Sequence, residues 1–534
     1  MANNVAVIGI CSVFLVAAVV AAVVGVTHLK NNGDSKSGEI SSSTKAVQTV
    51  CQPTQFKEAC EKSLESSNST DPKELIRTSF QAAIEEIRKV LANSAMIQDL
   101  NKDDNNKAAL KVCKEVLDLS IADLQLSFDK LGGYEMSKIG DYLLNLRVWL
   151  SGALTTLQTC VDSYAEVNKE QAEKMNSILK TSMELTQNSL TMVTKLSTIL
   201  NDLNIPGINI DTTGFERKLL SNDGPEWMGH AERRLLQAKP TDLKPNVVVA
   251  KDGSGKYDTI TKALAEVPQK SPNRFIIHIK AGTYKEQVLL PKEMTNVMFI
   301  GDGPTKTIIT NDLNCIRDHP LKTFGTATVG VDGAGFMARD IGFENTAGPP
   351  GHQAVAFRAT CDMVIMFNCH FNGYQDTLYA HKQKQFYRDC LISGTVDFIF
   401  GDAASVFQNC LIIARKPGAP DYLPVKDKSK TYLGRPWKAL ARTIIMQSNI
   451  DDIITPEGYS PMEGTVGLDT GYFVEFQNRG PGAKTEGRVK WPAIKTIDIN
   501  EAKKWTPGVF LETETDKWIS QTGTPCYPDM VPGV

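Results

Sequence analysis

Across Val364–Ile413 the chain loosely repeats one phrase, an aromatic residue followed by a polar residue, a cysteine and an apolar run. It occurs as "MFNCHF", "YRDCLI" and "FQNCLI", so that Cys369, Cys390 and Cys410 recur at intervals of 21 and 20 residues. An interval near twenty residues, filled with short β-prone runs, is the period of a parallel β-helix, in which each winding of the chain stacks on the one before. Such runs begin at Phe275, Val297, Phe336, Val364, Gln385, Ser405 and Arg442, and Gly, Asn and Asp punctuate them. A doubly wound sheet would require crossover helices between its parallel strands, and no helical pattern intervenes here. Stacked cysteines in such a coil serve as small buried apolar residues, with a disulfide among them left open. Asp340, in "MARDIGF", is expected to fill the same slot as Cys369, 29 residues earlier, if "NTAGPPG" is an insertion.

The same period governs two carboxylates. Asp376 in "YQDTLY" follows Cys369 by seven residues, and Asp397 in "VDFIF" follows Cys390 by seven. On consecutive windings they lie one strand spacing apart, about 5 Å between Cα atoms. Like charges so close favour one protonated carboxyl beside one anion, which supplies an acid and a nucleophile or base from a single residue type. An isolated turn aspartate more often just binds its own backbone; two in register, each followed by apolar and aromatic residues, point to chemistry. Gln375 precedes Asp376, and Gln353 lies 22 residues before Gln375, so both amides are placed as donors to a developing oxyanion. "LGRPW" adds Arg435 as a carboxylate clamp and Trp437 as a flat platform for a sugar ring.

The front half has another period. Ile76, Phe80, Ala83, Ile87 and Val90 form one helical stripe, and Leu110, Cys113, Leu117, Leu124 and Leu131 a second. A third stripe runs through Leu143, Leu146, Leu150, Leu154, Leu157 and Cys160, and a fourth through Leu179, Met183, Leu190, Val193 and Leu196. Four amphipathic helices read as an up-and-down bundle over residues 45–200. Its cysteines, Cys51, Cys60, Cys113 and Cys160, allow three pairings. Cys51 with Cys60 would close a short hairpin, and Cys113 with Cys160 would join the second helix to the third. Metal binding fits poorly, because no CxxC pair and no nearby histidine accompanies them. Nothing in this half joins a nucleophile to a base, so its expected work is binding.

Two families resemble these halves. The cysteine spacing and "WLSGALTTLQTCVDSY" at Trp149–Tyr164 resemble the plant invertase and pectin methylesterase inhibitor domain, which implies a four-helix bundle with Cys51–Cys60 and Cys113–Cys160 disulfides. "GTYKE" at Gly282–Glu286, "HQAVAFR", "YQDTLY", "GTVDFIFG" and "LGRPWK" resemble plant pectin methylesterases, the carbohydrate esterases that demethylate homogalacturonan. That resemblance implies a right-handed β-helix over residues 244–534, with Asp397 as nucleophile and Asp376 as acid and then base. It further implies Gln353 and Gln375 as oxyanion donors, Arg435 orienting Asp397, Trp437 contacting sugar, and neither a metal nor another cofactor. "GTYKE" is expected to be a structural turn rather than a site. Asp402 stands where the family usually has Asn, and "KALART" replaces a more polar and aromatic run. Both departures bear on substrate fit and pH response.

The rival readings are a polygalacturonase-like glycosidase, because carboxylates about 5 Å apart also suit retaining hydrolysis, and a non-catalytic inhibitor or wall-binding protein. The "GHG" and "RIK" strings of polygalacturonases are missing, and so is a G-x-S-x-G serine elbow. Lys and Arg total 58 against 61 Asp and Glu, for a formal charge of −3, which gives no basis for a nucleic-acid partner.

The remaining segments concern targeting. Val5–Val26 holds 22 uncharged, mostly apolar residues, enough to span a bilayer at ~1.5 Å per residue. Residues 1–30 are therefore expected to be a signal anchor or a long cleavable signal for the secretory pathway, and membrane contact is expected only there. "NST" makes Asn68 a candidate glycosylation site. Between residues 201 and 243 the helical pattern stops. "RKLL" at Arg217–Lys218 and "RRLL" at Arg233–Arg234 are expected processing sites in an exposed linker. The expected partners are pectin, the processing protease and separate inhibitor proteins, and the expected destination is the cell wall.

Overall fold

In the computed structural model, residues 42–92, 103–134, 142–202, 244–318, 320–416, 430–512 and 517–531 are described. The apolar Val5–Val26 segment and both basic tetrads lie outside them. No helix among the described residues is long and apolar enough to cross a membrane.

The chain divides into two compact units, one helical and one that holds the strands. The helical region begins with two short helices, α1 (Ser42–Cys51) and α2 (Lys57–Leu64), and continues with four long ones. The long helices are α3 (Pro72–Ala92), α4 (Asp104–Gly133), α5 (Leu143–Ala165) and α6 (Lys169–Asp202). The first two stripes read from the sequence are buried throughout, and the third is buried except at Leu154, which is half-buried. The fourth differs. Leu179 and Val193 are buried, Met183 and Leu190 are half-buried, and the inward face of α6 includes Ser182, Thr186, Asn188 and Ser189. Thr186 donates back to the Ser182 carbonyl at 2.7 Å within α6, whereas Asn188 and Ser189 reach partners far away in sequence. Ser189 Oγ lies 2.9 Å from Ser79 Oγ, and the Asn188 amide donates to the Phe56 carbonyl at 2.8 Å. Cys51 is bonded to Cys60, which joins α1 to α2, and the buried Cys113 and Cys160 are disulfide-bonded as well.

The second unit winds three parallel sheets. One sheet has seven strands: β1 (Val247–Val249), β2 (Phe275–Ile279), β5 (Val297–Gly301), β8 (Met337–Arg339), β11 (Val364–Phe367), β14 (Lys384–Arg388) and β17 (Ala404–Gln408). The second has six: β3 (Gly282–Lys285), β6 (Thr307–Asn311), β9 (Gly342–Asn345), β12 (His370–Asn372), β15 (Leu391–Gly394) and β18 (Leu411–Ala414). The third has five: β4 (Val288–Leu290), β7 (Val329–Val331), β10 (Phe357–Ala359), β13 (Leu378–Ala380) and β16 (Ile399–Phe400). Each winding lays one strand in each sheet, so residues one period apart become neighbours. His370, Leu391 and Leu411 are in register, which stacks Cys369, Cys390 and Cys410 just before them. All three are free thiols, the first two buried and Cys410 half-buried. His370 also pairs with Gly342, so the residue level with Cys369 is Ile341, and Asp340 is level with Asn368, whose amide it accepts at 2.6 Å. The expectation for Asp340 is therefore off by one residue. An apolar slot took an apolar side chain, and the carboxylate took the polar turn.

Inside the coil, Phe343 and Phe371 stack at 5.4 Å and Phe357 leans on both. At the start of the coil, helix α7 (Ile260–Leu264) packs Ile260, Ala263 and Leu264 into this core. Glu286, the last residue of "GTYKE", caps α7: its carboxylate accepts from the backbone N–H of Ile260 and Thr261, each at 3.0 Å, and from the Thr261 hydroxyl at 2.8 Å. The segment was expected to be a turn; Gly282–Lys285 is instead strand β3, and Glu286 supplies a helix cap.

Among the described residues, β16, β17 and β18 are the last strands of their sheets. The run at Arg442, expected to extend the same ladder, instead forms β19 (Arg442–Met446) in a separate sheet with β20 (Tyr472–Phe476) and β21 (Ile494–Lys495). The interval explains the break: one further period after Cys410 would start a strand near residue 430, yet β19 begins twelve residues beyond that. On β18, Leu411 and Ile412 are 58% and 51% exposed. At the other face, the chain's C-terminal part covers the outer side of the seven-stranded sheet, where Leu511, Trp518 and Ile519 pack on Met298, Met337, Ile365 and Phe386.

Candidate active site

Asp376 and Asp397 each stand two residues before a strand of the five-stranded sheet, β13 and β16, and Leu378 is in register with Ile399. The backbone joins the two turns directly: Asp376 N–H donates to the Val396 carbonyl at 3.0 Å, and Leu378 N–H to that of Phe398 at 3.0 Å. The period thus does superpose the two carboxylates. Both residues have left-handed backbones, φ 63° and 47°, a conformation that Asp tolerates better than most side chains. Thr377, fully buried between them, fixes the turn by donating to the Tyr374 carbonyl at 3.0 Å or that of Ser393 at 3.2 Å. Gly394 is required by close approach, since a side chain there would put its first carbon 2.2 Å from the Phe398 Cβ.

The environments of the pair differ. Asp376 is buried, and its carboxyl is pushed well above the ordinary aspartate value, first by burial and then by the charge of Asp397. Asp397 instead meets Arg435 through two hydrogen bonds, Nε to Oδ1 at 2.8 Å and Nη2 to Oδ2 at 2.5 Å. A planar guanidinium holding both oxygens fixes the orientation of that carboxylate. Burial and the neighbouring charge thus favour the protonated form of Asp376, beside an Asp397 whose two oxygens are held by Arg435.

Gln353 and Gln375 lie on adjacent windings, linked by the Ala354 N–H donating to the Gln375 carbonyl at 3.3 Å. Both side chains are half-buried, and neither amide has a hydrogen-bond partner among the described residues. Trp437 is 38% exposed, and its ring centre lies 6.2 Å from that of Phe400. Phe400 in turn stacks on Tyr379 at 4.1 Å, the two being in register on β16 and β13. This aromatic surface was not read from the sequence beyond Trp437, although Tyr379 and Phe400 stand inside the quoted motifs and share their 21-residue interval. Asn68 is exposed in the turn between α2 and α3. Arg217, Lys218, Arg233 and Arg234 lie outside the described residues.

Known proteins match both units. The pectinesterase family model matches residues 246–421 and 418–514. The plant invertase/pectin methylesterase inhibitor model matches residues 45–192. Two relatives from Arabidopsis thaliana, named probable pectinesterase/pectinesterase inhibitors 21 and 58, are each 43% identical; the alignments cover 99% and 97% of this chain and 82% and 96% of theirs. Among solved structures, the pectin methylesterase from carrot is 44% identical with a TM-score of 0.52, covering 54% of this chain and 99% of its own. The chain belongs to the pectinesterase family, with an inhibitor-family domain preceding the esterase domain.

Proposed function

We propose that this protein hydrolyses the C6 methyl esters of homogalacturonan through the Asp397–Asp376 pair. The supporting observation is the asymmetry of two superposed carboxyls, one buried with its protonated form favoured, the other held by Arg435. Asp397 Oδ attacks the C6 carbonyl carbon. The Gln353 and Gln375 amides donate to the oxyanion, and collapse expels methoxide, which takes the Asp376 proton and leaves as methanol. The resulting mixed anhydride between C6 and Asp397 is opened by water. Asp376, now the base, takes one proton from that water and so regains its acid form; Asp397 leaves as a carboxylate, and the new galacturonic acid gives up its remaining proton to solvent. Trp437 presents its exposed ring to the polysaccharide. No step calls on a metal.

The test is Asp397→Asn, which keeps the shape of the turn and removes the nucleophile. Methanol release is expected to vanish while the unfolding transition is preserved; full activity would end the assignment. A glycosidase reading predicts new reducing ends without methanol, so the same assay separates the two.

The finer organisation follows the family. The esterase domain spans residues 244–534 and winds right-handedly, and residues 45–200 form a four-helix bundle that restrains the esterase until the linker is cut at Arg217–Lys218 or Arg233–Arg234. Residues 1–30 direct the chain into the secretory pathway, Asn68 carries a glycan, and the freed esterase acts in the cell wall, subject to separate inhibitor proteins. N-terminal sequencing of the wall-bound form tests the cleavage position: a start within residues 1–200 would contradict it.

A further inference from the structure

A buried cation that the proposed chemistry does not use lies against the turn carrying Gln375 and Asp376. Arg415 directly follows β18 and is only 2% exposed. The ladder brings it to the site. Ala414 is in register with Gly394, so Arg415 stands level with Thr395, two residues before Asp397. Its own N–H donates to the Gly394 carbonyl at 2.7 Å. Its side chain reaches one winding further back, where Nη1 donates to the Gly373 carbonyl and the guanidinium lies 3.8 Å from the centre of the Tyr374 ring.

The turn is tight. A side chain at Gly373 would put its first carbon 2.6 Å from Thr377 Oγ1. Most of the turn is tied to the next winding: the Gly373 N–H donates to the Ser393 carbonyl at 3.2 Å, the Tyr374 carbonyl accepts from the Thr395 N–H at 2.9 Å, and the Asp376 N–H reaches Val396. Gln375 is held less. Its carbonyl accepts from the Ala354 N–H at 3.3 Å, and its own N–H has no hydrogen-bond partner among the described residues. The aim of its side chain therefore depends on how firmly the chain around it is fixed. Arg415 holds the two residues just before it, one by its carbonyl and the other by its ring, and a cation on an aromatic face is held more strongly out of water than in it.

We propose that Arg415 is a positioning residue for the esterase reaction and acts through Gln375. By pinning Gly373 and Tyr374 it fixes the turn from which the Gln375 amide reaches the developing oxyanion, while its burial withholds it from the polysaccharide. An oxyanion donor works only when its N–H is already aimed at the place where charge develops, so slack in the turn costs rate rather than substrate binding. Asp376, tied to Val396 through its own N–H, keeps its place without Arg415. The proposal rests on the esterase reading, in which Gln375 is an oxyanion donor.

The experiment is a double-mutant cycle in the full chain, read as methanol release with kcat and KM resolved. Arg415→Lys keeps a charge and a donor but has no plane to lie on Tyr374. Tyr374→Leu removes the ring and leaves the bond to Gly373. In the parent each is expected to lower kcat about tenfold with KM within about twofold. In a Gln375→Ala background each is expected to change kcat by less than about twofold, because the group they aim is gone. The unfolding midpoint is measured for every variant, and Tyr374→Leu carries the test if Arg415→Lys does not fold. Equal fractional losses in both backgrounds, on top of a slow Gln375→Ala, would overturn this proposal alone, as would a raised KM at unchanged kcat. A Gln375→Ala protein with the parental kcat would instead overturn the oxyanion assignment, and this proposal with it.

Discussion

Replacing Arg435 with lysine asks whether the guanidinium orients Asp397 or simply attracts substrate. In the native site Nε and Nη2 reach both oxygens of Asp397, at 2.8 and 2.5 Å. Lysine keeps the positive charge but presents a single point donor, so one of the two bonds is lost and the carboxylate is free to rotate. A hydrogen bond to a charged group contributes ~1.5–3 kcal/mol. The side chains are 31% and 25% exposed, so solvent screening places the value at the lower end. A loss of about 1.5 kcal/mol felt only in the transition state slows turnover roughly tenfold. The assay is initial-rate methanol release over a range of pectin concentrations, with kcat and KM resolved. An orienting role predicts a roughly tenfold lower kcat with KM within about threefold. A raised KM with unchanged kcat would refute the reasoning, because it would show that Arg435 contributes uniform binding instead.

Other consequences follow from the same geometry. Gln353→Ala and Gln375→Ala should each lower kcat by about 100-fold, the usual worth of an oxyanion donor, with the unfolding midpoint unchanged; activity at the parental level in both would remove the amides from the mechanism. Asp376 has its native carboxyl value raised, by burial first and Asp397 second, so the native fold loses stability as pH rises from the ordinary aspartate range through that elevated value. Asp376→Asn should therefore gain stability on the parent across that window in denaturant titrations, and the two should converge below it; a constant difference at every pH would contradict the assignment. Glu286→Ala removes the three hydrogen bonds that cap α7 and should cost about 1 kcal/mol of stability without altering KM, read by chemical denaturation and methanol release together.

Much of the architecture could be read from the chain because like residues recur wherever the physics repeats. Cys369, Cys390 and Cys410 marked the winding since each fills an equivalent core position, and Asp376 with Asp397 inherited their spacing. The helical stripes were visible for α3, α4 and α5, whose inward faces are mainly apolar. They misled for α6, where Ser182, Thr186, Asn188 and Ser189 face inward. For Ser189 and Asn188, hydrogen bonds to Ser79 and Phe56, more than a hundred residues away, make that burial tolerable, and no local pattern announces them.

Two other features depended on long-range register. The strand at Arg442 has the composition of a further winding, yet its ladder partner is β20, and only the overlong interval after Cys410 hinted at a break. Tyr379 and Phe400 were in plain view within their motifs, but stacking between them becomes apparent only when β13 and β16 are aligned. Asp340 shows the same limit at the scale of one residue: a period estimated from spacing alone cannot tell a turn position from the core position beside it.

The most direct measurement is a carboxyl titration of the aspartates, followed by 13C NMR on protein labelled at Asp, in the parent and in Asp397→Asn. The account predicts one resonance, lost in Asp376→Asn, that titrates well above the ordinary aspartate range and moves downward when the neighbouring charge is removed. An Asp376 carboxyl that titrates in the ordinary range, and identically in both proteins, would contradict the paired-carboxylate site.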